Sequence, residues 1–257
     1  MVRTVAVAWL AAGILAASLF TGCAGMPGGA SDSERLHNAV AIDDVGFVQE
    51  AVQSGRLNVN QYVRTPGFQE GAPLILVAAR YASLKTLRYL ISAGANVNAR
   101  AATGETALML ASYFEGDDTQ LRASNQNAYE QTAQILVESG AGLENAPNHY
   151  TPLAYAAYAG HNRIVRYLLQ RGARVDGDAE NGVIYVNTPL MMAAIQGHLE
   201  TTLWLLRAGA NARTRVYLGH TAAELAAKNN HGNIAVILRC AESVAPGENV
   251  ASRCLGR

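Results

Sequence analysis

The chain has 257 residues, enough for one domain or a short array of repeats around a buried core, and its 20 basic and 20 acidic side chains cancel. A neutral chain has no basic field with which to displace counterions, which argues against nucleic acid as a partner. Half of the residues are hydrophobic but only 7% are aromatic, a mixture suited to short helices packed closely through small side chains.

Residues 1–22 read as a leader rather than as part of the fold. Arg3 and the amino group form a short positive region, and the apolar run from Val5 to Phe20 is short for a membrane span. The run ends in Leu19-Phe20-Thr21-Gly22-Cys23 and gives way to a Gly-rich stretch. This junction resembles a bacterial lipoprotein signal, with Phe20 standing where Leu is usual. The resemblance implies lipid attachment at Cys23, a flexible tether over 23–32, and location in the bacterial envelope. Ala24 in place of Asp favours the periplasmic face of the outer membrane. A plain leader with an incidental Cys and an uncleaved anchor helix are the alternatives.

From about residue 33 to 243 one pattern recurs. Its fullest copy is Tyr150-Thr151-Pro152-Leu153, Ala156-Ala157, Gly160-His161, Ile164-Val165, Leu168-Leu169 and Gly172-Ala173. A second reads Thr188-Pro189-Leu190, Ala193-Ala194, Gly197-His198, Leu205-Leu206 and Gly209-Ala210. Further copies open at Gly71-Ala72-Pro73-Leu74, at Gly104-Glu105-Thr106-Ala107-Leu108 and at Gly219-His220-Thr221-Ala222, and a degenerate one runs from Ser33 to Gln61. Thr can cap a helix start and Pro has its φ already set for the first turn. Ala-Ala permits close approach of the next copy, and the aliphatic run is the buried stripe of a second helix. Gly94, Gly140, Gly172 and Gly209 can end that helix in the left-handed conformation. No copy can hide its apolar face alone, so the copies must stack.

The pattern resembles the ankyrin-repeat family, which implies an all-α solenoid of about six helix-turn-helix units joined by short hairpin turns. The His that usually follows Thr-Pro-Leu is replaced by Ile75, Met109, Ala154 and Met191, and the last copy has Ala223 where Leu is usual.

The spacing breaks twice. Pro152 to Gly172 and Pro189 to Gly209 are each 20 positions, whereas Ala107 to Gly140 is 33. The third unit therefore carries an insertion at about 115–131, polar and without a clear apolar stripe, either a tolerated loop or a contact element. The turn between Gly172 and Pro189 is also long, reads as an extended hairpin exposing Tyr185, and carries Asp176, Asp178 and Glu180 without a complete calcium-ligand set.

Partner contacts in the family come from hairpin tips and from positions just after Ala-Ala on the concave side. Carried over, these are Arg80, Tyr81, Ser112, Tyr113, Tyr158, Ile195 and Gln196, followed by Lys228 and Asn229. Turn-tip candidates are Tyr185 and Tyr217, and more weakly Arg100, His149, Arg213 and Arg215. Cys240 and Cys254 can pair in an oxidising compartment and pin the tail over 244–257. The six histidines are scattered, and no metal pair, phosphate loop or nucleophile elbow appears, so the sequence points to no enzyme, cofactor, metal or small-molecule substrate.

The sum is a lipid-tethered scaffold for a protein partner. Some ankyrin lipoproteins with this layout resemble immunity proteins for secreted phospholipase effectors, which makes a toxin effector the first partner to consider. A resident periplasmic enzyme such as a catalase is the alternative partner, and a purely structural envelope role is the third reading.

Overall fold

The computed structural model describes residues 31–65, 67–113, 121–144, 150–177, 187–215, 219–245 and 248–255. Six helix pairs follow one another along them: α1 (Asp32–Ala41) with α2 (Val45–Gln53), α3 (Leu74–Arg80) with α4 (Leu84–Ser92), and α5 (Ala107–Ser112) with α6 (Leu121–Glu138). The series continues with α7 (Pro152–Ala159) and α8 (Asn162–Gln170), α9 (Pro189–Gln196) and α10 (Leu199–Arg207), and α11 (Ala222–Lys228) and α12 (Gly232–Ser243), before a short terminal α13 (Val250–Cys254). First helices pack on first helices in the order α1, α3, α5, α7, α9, α11, and second helices pack likewise in the order α2, α4, α6, α8, α10, α12. The result is two helical layers, the all-α stacked architecture expected from the repeats.

The starts of the first helices follow from their sequence. Thr151 and Thr188 cap α7 and α9 by accepting the N–H of Ala154 and Met191, each at 3.2 Å, with Pro152 and Pro189 in the first turn. Thr221 caps α11 reciprocally with Glu224, the Thr221 N–H donating to the Glu224 carboxylate at 3.1 Å. Such caps contribute about 1 kcal/mol each. Beyond the cap almost every side chain is buried, as in Leu74 to Ala79, Leu153 to Ala157 and Leu190 to Ala194. A helix apolar all round must be covered on both sides, and the neighbouring units do this.

Two ladders of polar bonds join successive units. On the turn side, Asn60 donates to the Gly94 carbonyl and accepts from the Asn96 N–H, Asn98 does the same for Gly140 and Gly142, and Asp176 accepts from the Asn211 N–H. At the opposite ends, the residue opening the second helix of the second, fourth, fifth and sixth units donates to a carbonyl at the end of the preceding unit's first helix. Ser83 donates to Val40 at 2.6 Å, His161 to Ser112 at 3.1 Å, His198 to Tyr158 at 2.9 Å and His231 to Ile195 at 3.1 Å. The Ser112, Tyr158 and Ile195 carbonyls lie past the last acceptors of their own helices, so each of these bonds satisfies a group that would otherwise go unpaired, whereas the Val40 carbonyl also accepts from the Asp43 N–H at 3.0 Å.

The structure departs from the sequence expectation in two places. Residues 121–131 of the insertion are helical, extending α6 toward its amino end, rather than forming an irregular loop. The stretch contains no Gly or Pro and is rich in helix-tolerant Ala, Gln, Arg and Glu. The first inter-unit turn also carries a small antiparallel hairpin, β1 (Val63–Thr65) and β2 (Phe68–Ala72), which buries Val63, Thr65 and Phe68.

Candidate protein-docking strip

The positions following Ala-Ala fall at the carboxyl ends of the first helices and form a row across successive units. In the second unit Arg80 is half-buried, with its guanidinium 5.7 Å from the Phe68 ring centroid. Tyr81 is 39% exposed and packs edge-on against His37, with its hydroxyl 3.3 Å from His37 Nε2. Burial, and then the Arg80 charge, hold the His37 pKa below the usual imidazole value, so this ring is neutral near pH 7.

The third and fourth units meet through aromatic rings. Tyr113 stacks on Tyr158 with centroids 5.8 Å apart and planes at 30°. Tyr113 also meets Tyr155 edge-on at 5.6 Å, and Tyr155 meets Tyr150 at 6.1 Å. Each such pair adds about 0.5–1.5 kcal/mol beyond its buried area. Burial, with a smaller contribution from Glu105, pushes the Tyr155 phenol up to about 12, so it stays protonated. Tyr113 and Tyr158 remain half-buried, each keeping part of its surface toward solvent. In the fifth unit Ile195 is half-buried and Gln196 exposed; in the sixth, Lys228 and Asn229 are exposed.

One of the expected contact residues is corrected. Ser112 is fully buried and its hydroxyl donates to the Leu108 carbonyl at 2.7 Å, because the closing turn of α5 directs the short side chain back onto its own helix. Conversely, Ile42 at the end of α1 is 76% exposed. It stands two residues after Ala39-Val40, the position equivalent to Tyr81, and the degenerate first copy concealed it from sequence reasoning. Among the turn-tip candidates, Arg213 donates to the Glu242 and Val244 carbonyls and closes the end of α12, while Arg215 pairs with Glu224 at 3.3 Å. Cys23, His149, Tyr185 and Tyr217 lie outside the described residues.

The strip's backbone is fixed. The carbonyls of Arg80, Ser112, Tyr158 and Ile195 each accept a bond from the following unit, the first of them from the Tyr129 hydroxyl at 2.6 Å. The exposed side chains therefore project from main chain that is ordered before any partner arrives. Among the described residues no cluster of His, Cys, Asp and Glu could hold a metal ion.

Models of ankyrin repeats match residues 75–121 (ankyrin repeats, many copies), 116–181 (ankyrin repeats, three copies) and 187–215 (ankyrin repeat), together more than half of the chain. The chain belongs to the ankyrin-repeat family. No curated protein matches it. The first and last helix pairs fall outside the matched segments, yet they stack as ankyrin units on their neighbours, α1 on α3 and α11 on α9. Ankyrin repeats serve as protein-interaction modules, and the strip is the surface on which these units offer rings, a cation and an aliphatic side chain in register.

Cys240 and Cys254 form a disulfide that joins α12 to α13, and Val250 and Leu255 pack against the core beside it. The array is thus closed by a covalently held segment.

Proposed function

We propose that this protein is an exported, non-catalytic scaffold, held by a lipid on Cys23 to the periplasmic face of the bacterial outer membrane, that grips one protein partner along its first-helix ends. The observation that carries the docking reading is the Tyr113–Tyr158 stack, flanked by Tyr81 and Ile195 on a backbone locked by the inter-unit bonds. Tyrosine brings large contact area at low entropic cost, which suits the centre of an interface. A disulfide between Cys240 and Cys254 supports placement in an oxidising compartment, as the leader and Cys23 do. Within this reading we favour an immunity role, in which a rigid strip covers the working surface of a secreted toxic effector.

The experiment is capture from an envelope extract with the wild-type protein and with Tyr113→Ala/Tyr158→Ala, whose folding is checked by far-UV circular dichroism. The wild type retains one major partner and the double variant loses it by at least about tenfold, as for a central aromatic pair. Undiminished capture by the folded variant removes the strip from consideration. Identification of the partner as a resident enzyme that remains active in the complex replaces immunity with an accessory role. For the anchor, Cys23→Ala releases the protein to the soluble periplasm; persistence with membranes after a high-salt wash rejects lipidation.

A further inference from the structure

The second helices carry an outward face of their own. Counted from the residue that bonds the preceding unit, the fifth and sixth positions stand partly or wholly toward solvent in the second, fourth, fifth and sixth units. In the fourth, fifth and sixth units these are Arg166 with Tyr167, Leu203 with Trp204, and Val236 with Ile237. The second unit has Arg88 with Tyr89 there, but the third has Gln134 with a buried Ile135, so an apolar and aromatic ridge that runs on between neighbouring units is confined to the fourth, fifth and sixth. Val236 is 65% exposed.

Two arginines frame the ridge. The guanidinium of Arg166 lies 4.6 Å from the Trp204 ring centroid and that of Arg207 lies 5.5 Å from it. Both are exposed, and neither makes an ion pair among the described residues. Of the nearby carboxylates, two pair with other arginines and one, Glu200, is bonded at the ridge itself. Glu200 accepts from Asn162 at 2.7 Å and from the Trp204 indole N–H at 3.4 Å, Glu130 pairs with Arg163, and Glu138 pairs with Arg171. A tryptophan between two arginines that make no ion pair among the described residues, beside half-exposed Leu203 and Ile237 and exposed Val236, matches a surface that is apolar beneath and anionic at its rim.

We propose that this ridge rests on an anionic lipid bilayer, with Leu203, Trp204 and Val236 entering the headgroup boundary and Arg166 and Arg207 meeting lipid phosphates. Indole rings favour that boundary, and each cation near an anionic bilayer contributes about fivefold to binding. The ridge lies on the second-helix layer, so a protein seated on lipid keeps its first-helix strip free. The cellular setting rests on the lipid anchor proposed above: the eight residues after Cys23 span at most about 29 Å, which keeps the array within reach of the membrane.

The test uses the mature chain without lipid, carrying Cys23→Ala, and vesicles of phosphatidylglycerol mixed with phosphatidylcholine against vesicles of phosphatidylcholine alone. Trp9 lies in the leader, so Trp204 is the only tryptophan in this protein and its emission reports the ridge directly. Expected are co-sedimentation with the anionic vesicles, a blue shift of Trp204 emission, and weakening by added salt. Arg166→Glu with Arg207→Glu lowers partition by at least about tenfold, while Arg88→Glu in the second unit leaves it unchanged. Equal partition by the charge-reversed variant, absence of a blue shift, or binding of an acidic protein to the ridge without any to vesicles overturns the proposal. Vesicle binding that holds while Cys23→Ala protein stays on cell membranes after a high-salt wash sinks the anchor and leaves the ridge; release in cells without vesicle binding does the reverse.

Discussion

The Tyr129 hydroxyl donates to the Arg80 carbonyl at 2.6 Å from the helical position that His161, His198 and His231 occupy in later units. The equivalence is visible in burial: Thr132, Ala133 and Leu136 are buried three, four and seven residues after Tyr129, as Ile164, Val165 and Leu168 are after His161. In the other units that position opens the second helix, whereas the extension of α6 places Tyr129 in a helix interior. The bond between units survives because the donor has changed from an imidazole to a phenol. Burial raises the Tyr129 pKa further, so the proton needed for donation is present at all ordinary pH values.

Tyr129→Phe removes only that hydroxyl and leaves the Arg80 carbonyl without its partner. The expected cost is about 1 kcal/mol, the net value of a hydrogen bond at a site where water can partly replace it. Urea unfolding of the variant shows it as a lower midpoint with an unchanged slope. An unaltered midpoint would mean that ring packing alone ties the third unit to the second.

Gly94 and Gly160 both have positive φ, at +88° and +72°, but their surroundings differ. A methyl group added at Gly94 meets open space, and one added at Gly160 falls 2.6 Å from the His198 ring. Gly94→Ala is expected to cost about 1–2 kcal/mol from backbone strain alone. Gly160→Ala adds displacement of the imidazole that bonds Tyr158, and its urea midpoint falls below that of Gly94→Ala. Equal midpoints would show that the ring moves aside without loss.

The repeat grammar was legible because each of its signals acts locally. Thr151, Pro152, the Ala156-Ala157 step and Gly172 specify a cap, a first turn, a close contact and a stop within one unit, and the structure follows them. The long α6 was not legible, since the sequence of residues 121–128 carries no apolar stripe at helical spacing. The β1–β2 hairpin was hidden for a related reason: only Val63, Thr65 and Phe68 to Ala72 specify it, too few for a clear alternation. Along the docking strip, sequence register placed Tyr81, Tyr113 and Tyr158 at helix ends but gave no rotamers. Ser112 was therefore read as a surface residue, and the stacking of two rings from different units was beyond its reach.

His161 and His198 give the array a defined response to acid. Burial holds both pKa values below the ordinary 6.5, against opposition from the carbonyls they bond. The unfolded chain then binds more protons than the folded one once pH falls below about 6.5, so the folded state loses stability with acidification. Above that pH both states are neutral at these sites and the contribution is complete. Urea midpoints are expected to stay level near pH 7.5 and decline between pH 6.5 and 5, with a shallower decline in His161→Gln/His198→Gln. A decline of equal steepness in that variant would assign the acid response to other groups.

The terminal disulfide closes the array beyond the sixth unit. Val250 and Leu255 pack against the core, and α13 touches both α10 and α12, but a helix of five residues cannot hold itself there by propensity. Linking Cys240 to Cys254 closes a loop of about fifteen residues, a constraint on the unfolded chain of about 3 kcal/mol. Cys240→Ser/Cys254→Ser is therefore expected to lower stability by up to that amount, and to do so unevenly. Hydrogen exchange accelerates first in α13 and α12, while α3, α5 and α7 keep their protection, because units in a stacked array feel chiefly their nearest neighbours. Limited proteolysis reads the same event as early cleavage within 244–257. Uniform loss of protection across all six units would instead show that the array unfolds as one block, and that the disulfide supports the whole of it rather than its end.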